Sequence, residues 1–199
     1  PSVADGEGGL TEFISMINKW TAALFLAGAI GLFTSLNLGA TTAVSREGKT
    51  FWLVKSLPIS YRDQTRAKLL FGLCIPPLWG VPLAVAFMLL FRLTILAALL
   101  GLALGLTVSV ASTAAGMIFD FIRPKLSWTN EAEAIKQNMN GVLAMVLGTV
   151  LVAALGGLGY LGLSSGLPLW AVCVSLSGLS ALLAAASVTA LIRIGERSL

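Results

Sequence analysis

Histidine is absent from this 199-residue chain, charged residues make up only 11% of it, and cysteine occurs twice. Each scarcity closes a class of function. Without histidine there is no ordinary general base near neutral pH, no Ser-His-Asp triad and little scope for a zinc site. Cys74 and Cys173 both fall inside apolar runs, far from any C-x-x-C spacing, and read as small core hydrophobes rather than as a disulfide or metal ligands. No Asp, Glu, Lys or Arg lies near the middle of an apolar run, where such a group is usually kept for an ion or proton pathway, so a proton-coupled carrier is disfavoured. Asp120, at the end of one run, reads as an interfacial carboxylate near Arg123. No catalytic, cofactor-binding or metal-binding residue is expected, and the chain is not expected to be an enzyme. It begins at Pro1 with no charged n-region before an apolar stretch, which reads as a fragment or processed product without a signal peptide.

What the sequence does have is apolar length. It is 57% hydrophobic with a mean hydropathy of +0.91, against roughly 45–50% apolar residues in a soluble domain. The apolar residues come in runs long enough for a helix to cross about 30 Å of hydrocarbon, without the alternation of a barrel strand. The expected fold is therefore all-α, an integral membrane bundle forming one domain with about five transmembrane helices: 20–44, 67–91, 95–119, 141–161 and 169–192. The residues from Thr11 to Trp20 read as a short interfacial helix leading into the first span.

The 13 Lys and Arg give a net charge of +4, but they are spread over connections rather than gathered in a nucleic-acid patch. All except Lys19 and Arg92 fall on one side of the predicted spans, which sets the expected orientation. Under the positive-inside rule the N-terminal end lies outside and the C-terminus in the cytoplasm, in a multi-pass protein of the plasma membrane.

Ser60-x-x-Asp63 and Asn130-x-x-Glu133 have the spacing of helix N-caps before the second and fourth spans. Pro76, Pro77 and Pro82 should kink or unwind the second span, and a helix so interrupted is expected to pack centrally, where neighbours satisfy its freed carbonyls. Gly101 and Gly105 form a G-x-x-x-G pair, and Gly156, Gly157 and Gly159 cluster in the fourth span, consistent with close packing or with a moving interface. The EGKT of Glu47 to Thr50 is not a phosphate-binding loop, because Ala43 stands where the first glycine is required and no strand precedes it.

The most informative stretch is SREGKTFWLVKSLPISYRD, Ser45 to Asp63, between the first two spans. At 100° per residue Phe51, Leu53, Val54 and Leu57 share an apolar arc, while Lys49, Lys55 and Ser56 lie on the other with Trp52 among them, and Pro58 ends the helix. This is a short amphipathic helix along the membrane surface. It either anchors the bundle at the interface or offers Trp52 to a partner's groove. A second segment on the same side, DFIRPKLSWTNEAEAIKQNMN (120–140), carries Trp128 and mixed charges including Glu131, and reads either as a solvated loop or as a widening of that surface.

SREGKTFWLVKSLPIS and RPKLSWTNEAEAIKQNMN together resemble two segments in the permease subunits of ABC-2-type exporters, particularly those of Gram-positive bacteria. The resemblance covers about 35 residues by motif and most of the chain by layout. It implies a six-helix unit of which the first helix and the elbow helix preceding it are absent here. It further implies that Glu47, Lys49, Phe51, Trp52, Leu53, Lys55 and Leu57 belong to a coupling helix seated in a separate nucleotide-binding ATPase subunit, with Trp128 and Glu131 beside it. ATP hydrolysis would then occur on that partner, the substrate would be an amphipathic lipid, drug or peptide, and a second permease half or a second copy would complete the pathway. The alternatives are a non-catalytic membrane scaffold and, with less support, a membrane enzyme acting on lipids.

Overall fold

The computed structural model describes residues 17–198, and every regular element among them is helical. In chain order these are α1 (Lys19–Ser35), α2 (Leu38–Thr41), a 3-10 segment (Ser45–Thr50), α3 (Phe51–Ser56), α4 (Tyr61–Leu73), α5 (Ile75–Leu90), α6 (Ile95–Ile122), α7 (Glu131–Lys136), α8 (Met139–Ser164) and α9 (Leu169–Ser198). Four helical stretches are long and apolar enough to cross a membrane, and α1, at 17 residues, is a shorter apolar helix. The fold is an all-α membrane bundle. The part of the expected lead-in helix from Thr11 to Met16 lies outside the described residues.

α6 is the centre of the bundle. Half of its most apolar stretch is buried, against 17–28% in the other three long stretches, and it packs on α1, α5, α8 and α9. The expectation that the proline-bearing helix is central is thus corrected: the stretch Tyr61–Leu90 is the least buried of the four. The prolines are accommodated by position. Pro76 and Pro77 occupy the first turn of α5, where no intrahelical donor is needed, and Cys74 separates α4 from α5. Only Pro82 lies inside a helix.

The first expected span, 20–44, is cut short at Ser35. Thr34 and Ser35 donate their hydroxyls back to the carbonyls of Ile30 and Gly31 at 2.8 and 2.9 Å, a pattern that tends to bend helices. Asn37 follows, a residue that favours caps over helix interiors, and it heads α2.

Gly101 and Gly105 are where α6 meets α1. A Cβ at Gly101 would lie 2.7 Å from the Ala23 carbonyl oxygen, and one at Gly105 would lie 2.7–2.9 Å from three atoms of Ile30. Thr34 and Ser109 join the same two helices through a 2.8 Å hydroxyl pair. The second glycine cluster differs. A Cβ at Gly156 or Gly157 would meet nothing within 4 Å, and one at Gly159 would press only on a side-chain end, Leu176 Cδ1 at 3.3 Å.

Basic residues gather at one end. There Arg62 pairs with Glu196 at 2.6 Å, linking α4 to α9, and Val44, Leu69, Met117, Phe121 and Leu191 form a core cluster. At the opposite end Ala22, Leu93 and Ala98 close a smaller cluster.

Candidate functional site

The basic end is organised by a buried carboxyl. Asp120, in the last turn of α6, is 1% exposed. Its Oδ2 accepts the backbone N–H groups of Val44 at 2.7 Å and Ser45 at 2.9 Å. Its Oδ1 pairs with the Ser45 hydroxyl and accepts the Asn140 amide at 3.2 Å. The same Asn140 nitrogen donates to the Arg123 carbonyl at 2.7 Å. Asp120 is therefore a buried junction residue and not the exposed interfacial carboxylate near Arg123 that was expected. It joins α6, the turn after α2 and the start of α8.

Ser45 extends the junction to the second polar segment. Its hydroxyl accepts the Lys125 N–H at 2.8 Å and its carbonyl accepts the Trp128 indole N–H at 2.9 Å. The Trp128 ring lies over Gly48, whose φ is +50° and whose absent Cβ would be 2.5–2.9 Å from the indole. Only glycine combines that backbone with that closeness at little cost. Lys125 also pairs with Glu133 at 2.9 Å, and Glu133 accepts the Thr129 N–H at 3.2 Å. Asn130 caps α7 and Asn138 caps α8, each accepting a backbone N–H at 3.0 Å.

Upon this base stands α3. The amphipathic stretch is not one helix: Gly48 breaks it, so Glu47 and Lys49 lie in the 3-10 segment while Phe51, Trp52, Leu53 and Lys55 lie in α3, and Leu57 is its extended C-cap. Trp52 is 64% exposed, Leu53 44% and Leu57 49%, and no residue of α3 is buried. Phe51 is half-buried and packs on the basic-end core, with the Lys55 ammonium 5.0 Å from its ring centroid. Gln64 of α4 holds the far end, its amide donating to the carbonyls of Val54 at 3.2 Å and Ile59 at 3.1 Å. Glu47 is turned inward and paired with Lys68, while Lys49 is exposed. The predicted residues thus separate into an outward set, Trp52, Leu53, Lys55 and Leu57, and an inward pair, Glu47 and Trp128, that holds the segment in place. Glu131 opens α7, and its side chain lies outside the described residues.

Between α1, α6, α8 and α9 a groove of about 470 Å³ opens, lined by Leu24, Phe25, Gly28, Val152, Leu155 and Gly156 among others. Its single hydroxyl comes from Thr21. The unobstructed Gly156 and the equally open Gly28 are what leave it unfilled.

A family model described as a membrane protein of 12 TMs matches residues 11–192. The chain belongs to that family. No curated protein and no solved structure shows significant similarity to it. The described residues of this family member supply four long apolar stretches and one short one, fewer than half the spans in the family's description.

Proposed function

We propose that this chain is part of the transmembrane permease of an ATP-driven exporter of the ABC-2 kind, and that α3 docks into a separate nucleotide-binding subunit at the cytoplasmic face. The observation that carries the reading is the pairing of an outward apolar set, Trp52, Leu53 and Leu57, with a base immobilised by Asp120, Ser45, Trp128 and Gln64. A helix serving only as an interfacial float needs no such base, whereas a surface that receives force from a partner does. With Phe51 and Val54 turned partly toward the bundle, the exposed Trp52, Leu53 and Lys55 of α3 fit insertion into a cleft, with Trp52 as the anchor. The apolar groove beside Gly28 and Gly156 supports an amphipathic substrate, and the family's larger number of spans supports a pathway completed by further helices, from a second permease half or a second copy.

The test is co-purification of the ATPase from membranes expressing the full-length protein. Trp52→Glu and Leu53→Glu are each expected to reduce the bound ATPase at least about 30-fold, the equivalent of a hot-spot loss of about 2 kcal/mol, at unchanged membrane content. Unchanged ATPase recovery in both variants, or no ATPase with the wild type, would remove the docking assignment. An anchoring role alone would instead lower the membrane content of the variants.

A further inference from the structure

A second pocket at the basic end, about 370 Å³, is lined by Ala43, Arg46, Glu47, Ala67, Lys68 and Phe71. Its position follows from the sequence of α4, which begins polar at Tyr61 and turns apolar from Leu69. Lys68 stands at that change, with Leu70 and Phe71 largely exposed immediately beyond it. A pocket there straddles the boundary between headgroups and hydrocarbon, with cations above and an aromatic wall below.

The charges in it are not balanced internally. Lys68 pairs with one oxygen of Glu47. Arg46 has an exposed side chain with no hydrogen bond or ion pair among the described residues. The other Glu47 oxygen, Oε2, is buried without a hydrogen-bond partner, which is a costly state for an acceptor. The pocket thus presents a free guanidinium, a half-committed ammonium and a buried acceptor awaiting a donor.

We propose that this pocket binds the headgroup of an anionic, hydroxylated phospholipid of the leaflet at the basic end, such as phosphatidylglycerol. The phosphodiester sits on Arg46 and Lys68, a headgroup hydroxyl donates to Glu47 Oε2, and an acyl chain runs along Phe71. Each element answers a separate feature: the phosphate the unpaired cation, the hydroxyl the orphan acceptor, and the chain the exposed aromatic. Basic pockets between membrane helices are the usual setting for such headgroups. None of its residues lies on the outward face of α3, and the Arg46 side chain, unlike Glu47, takes no part in holding the docking segment.

The experiment is titration of the purified full-length protein with dioctanoyl phosphatidylglycerol, dioctanoyl phosphatidylcholine and inorganic phosphate, followed by native mass spectrometry. Phosphatidylglycerol is expected to bind at least tenfold tighter than the other two. Arg46→Gln, which breaks no side-chain hydrogen bond or ion pair among the described residues, is expected to weaken it about fivefold, the worth of one surface cation to an anionic lipid, at an unchanged unfolding temperature. Lys136→Gln, removing an exposed cation elsewhere on the same end, is expected to leave it unchanged. Equal binding of the two lipids, equal binding of inorganic phosphate, or equal losses in Arg46→Gln and Lys136→Gln would overturn the proposal.

Discussion

Replacing Asp120 with alanine is expected to destabilise the protein by at least about 3 kcal/mol. The carboxyl gathers two backbone N–H groups, a hydroxyl and an amide in a site that is 1% exposed, and each buried donor left unmatched costs about 1–3 kcal/mol. Losses within one network do not add fully, so the lower part of the sum is the expectation. Asp120→Asn is the informative companion. Both carboxyl oxygens accept in the native site, and asparagine has only one, so it serves either the backbone pair or the Asn140 amide but not both. Its loss should fall between those of wild type and Asp120→Ala. Thermal unfolding of the detergent-solubilised protein would rank the three, and hydrogen exchange should show lost protection at the Val44 and Ser45 amides. If both variants stay within about 1 kcal/mol of wild type, the junction does not hold the end together.

The second large effect is expected at the contact of α6 with α1, where two glycines four residues apart should respond differently. At Gly101 the obstacle is the Ala23 backbone, 2.7–3.2 Å from a built Cβ. Gly101→Ala therefore forces the helices apart, at the upper end of the 1–3 kcal/mol typical of overpacking, and no side-chain change on α1 relieves it. At Gly105 the obstacle is the Ile30 side chain. Gly105→Ala should be partly rescued by Ile30→Ala, which removes two of the three crowding atoms and leaves Cβ. Rescue at Gly105 with Ile30→Ala, and none at Gly101 with Ala23→Gly, is the predicted double-mutant pattern. Rescue of both or of neither would mean that the helices do not meet as described.

The difference between what could and could not be read in the sequence follows from the range of the interactions. The membrane runs were legible because the need to satisfy backbone groups in hydrocarbon acts over about 20 consecutive residues. The Ser60 cap was legible for the same reason: its oxygen accepts the Asp63 N–H three residues on. Asp120 was not, because Val44 and Ser45 lie about 75 positions away and its place at the end of an apolar run, near Arg123, pointed to an interfacial carboxylate rather than a buried one. Nor was the break at Gly48. A helical wheel drawn through Ser45 to Leu57 assumes unbroken winding, whereas the packing of Trp128 selects a positive φ at that glycine. The three prolines signalled a disturbed helix but not its location in the bundle: chain direction changes cheaply at the first turn of a helix, so such a helix need not sit at the centre.

The junction at Asp120 also has a mechanical meaning. Phe51, at the start of α3, is six residues from Ser45 in the chain, and a free tether of that length would absorb displacement by unfolding its slack. Here the tether is spent. Ser45 is bonded to the end of α6, Gly48 is covered by Trp128, and Gln64 clasps the other side of α3. The compliance of the route from Trp52 to the central helix is accordingly that of a few short polar bonds, and α6, about 42 Å long at 1.5 Å per residue over its 28 residues, is long enough to carry that stiffness through the roughly 30 Å of a bilayer's hydrocarbon.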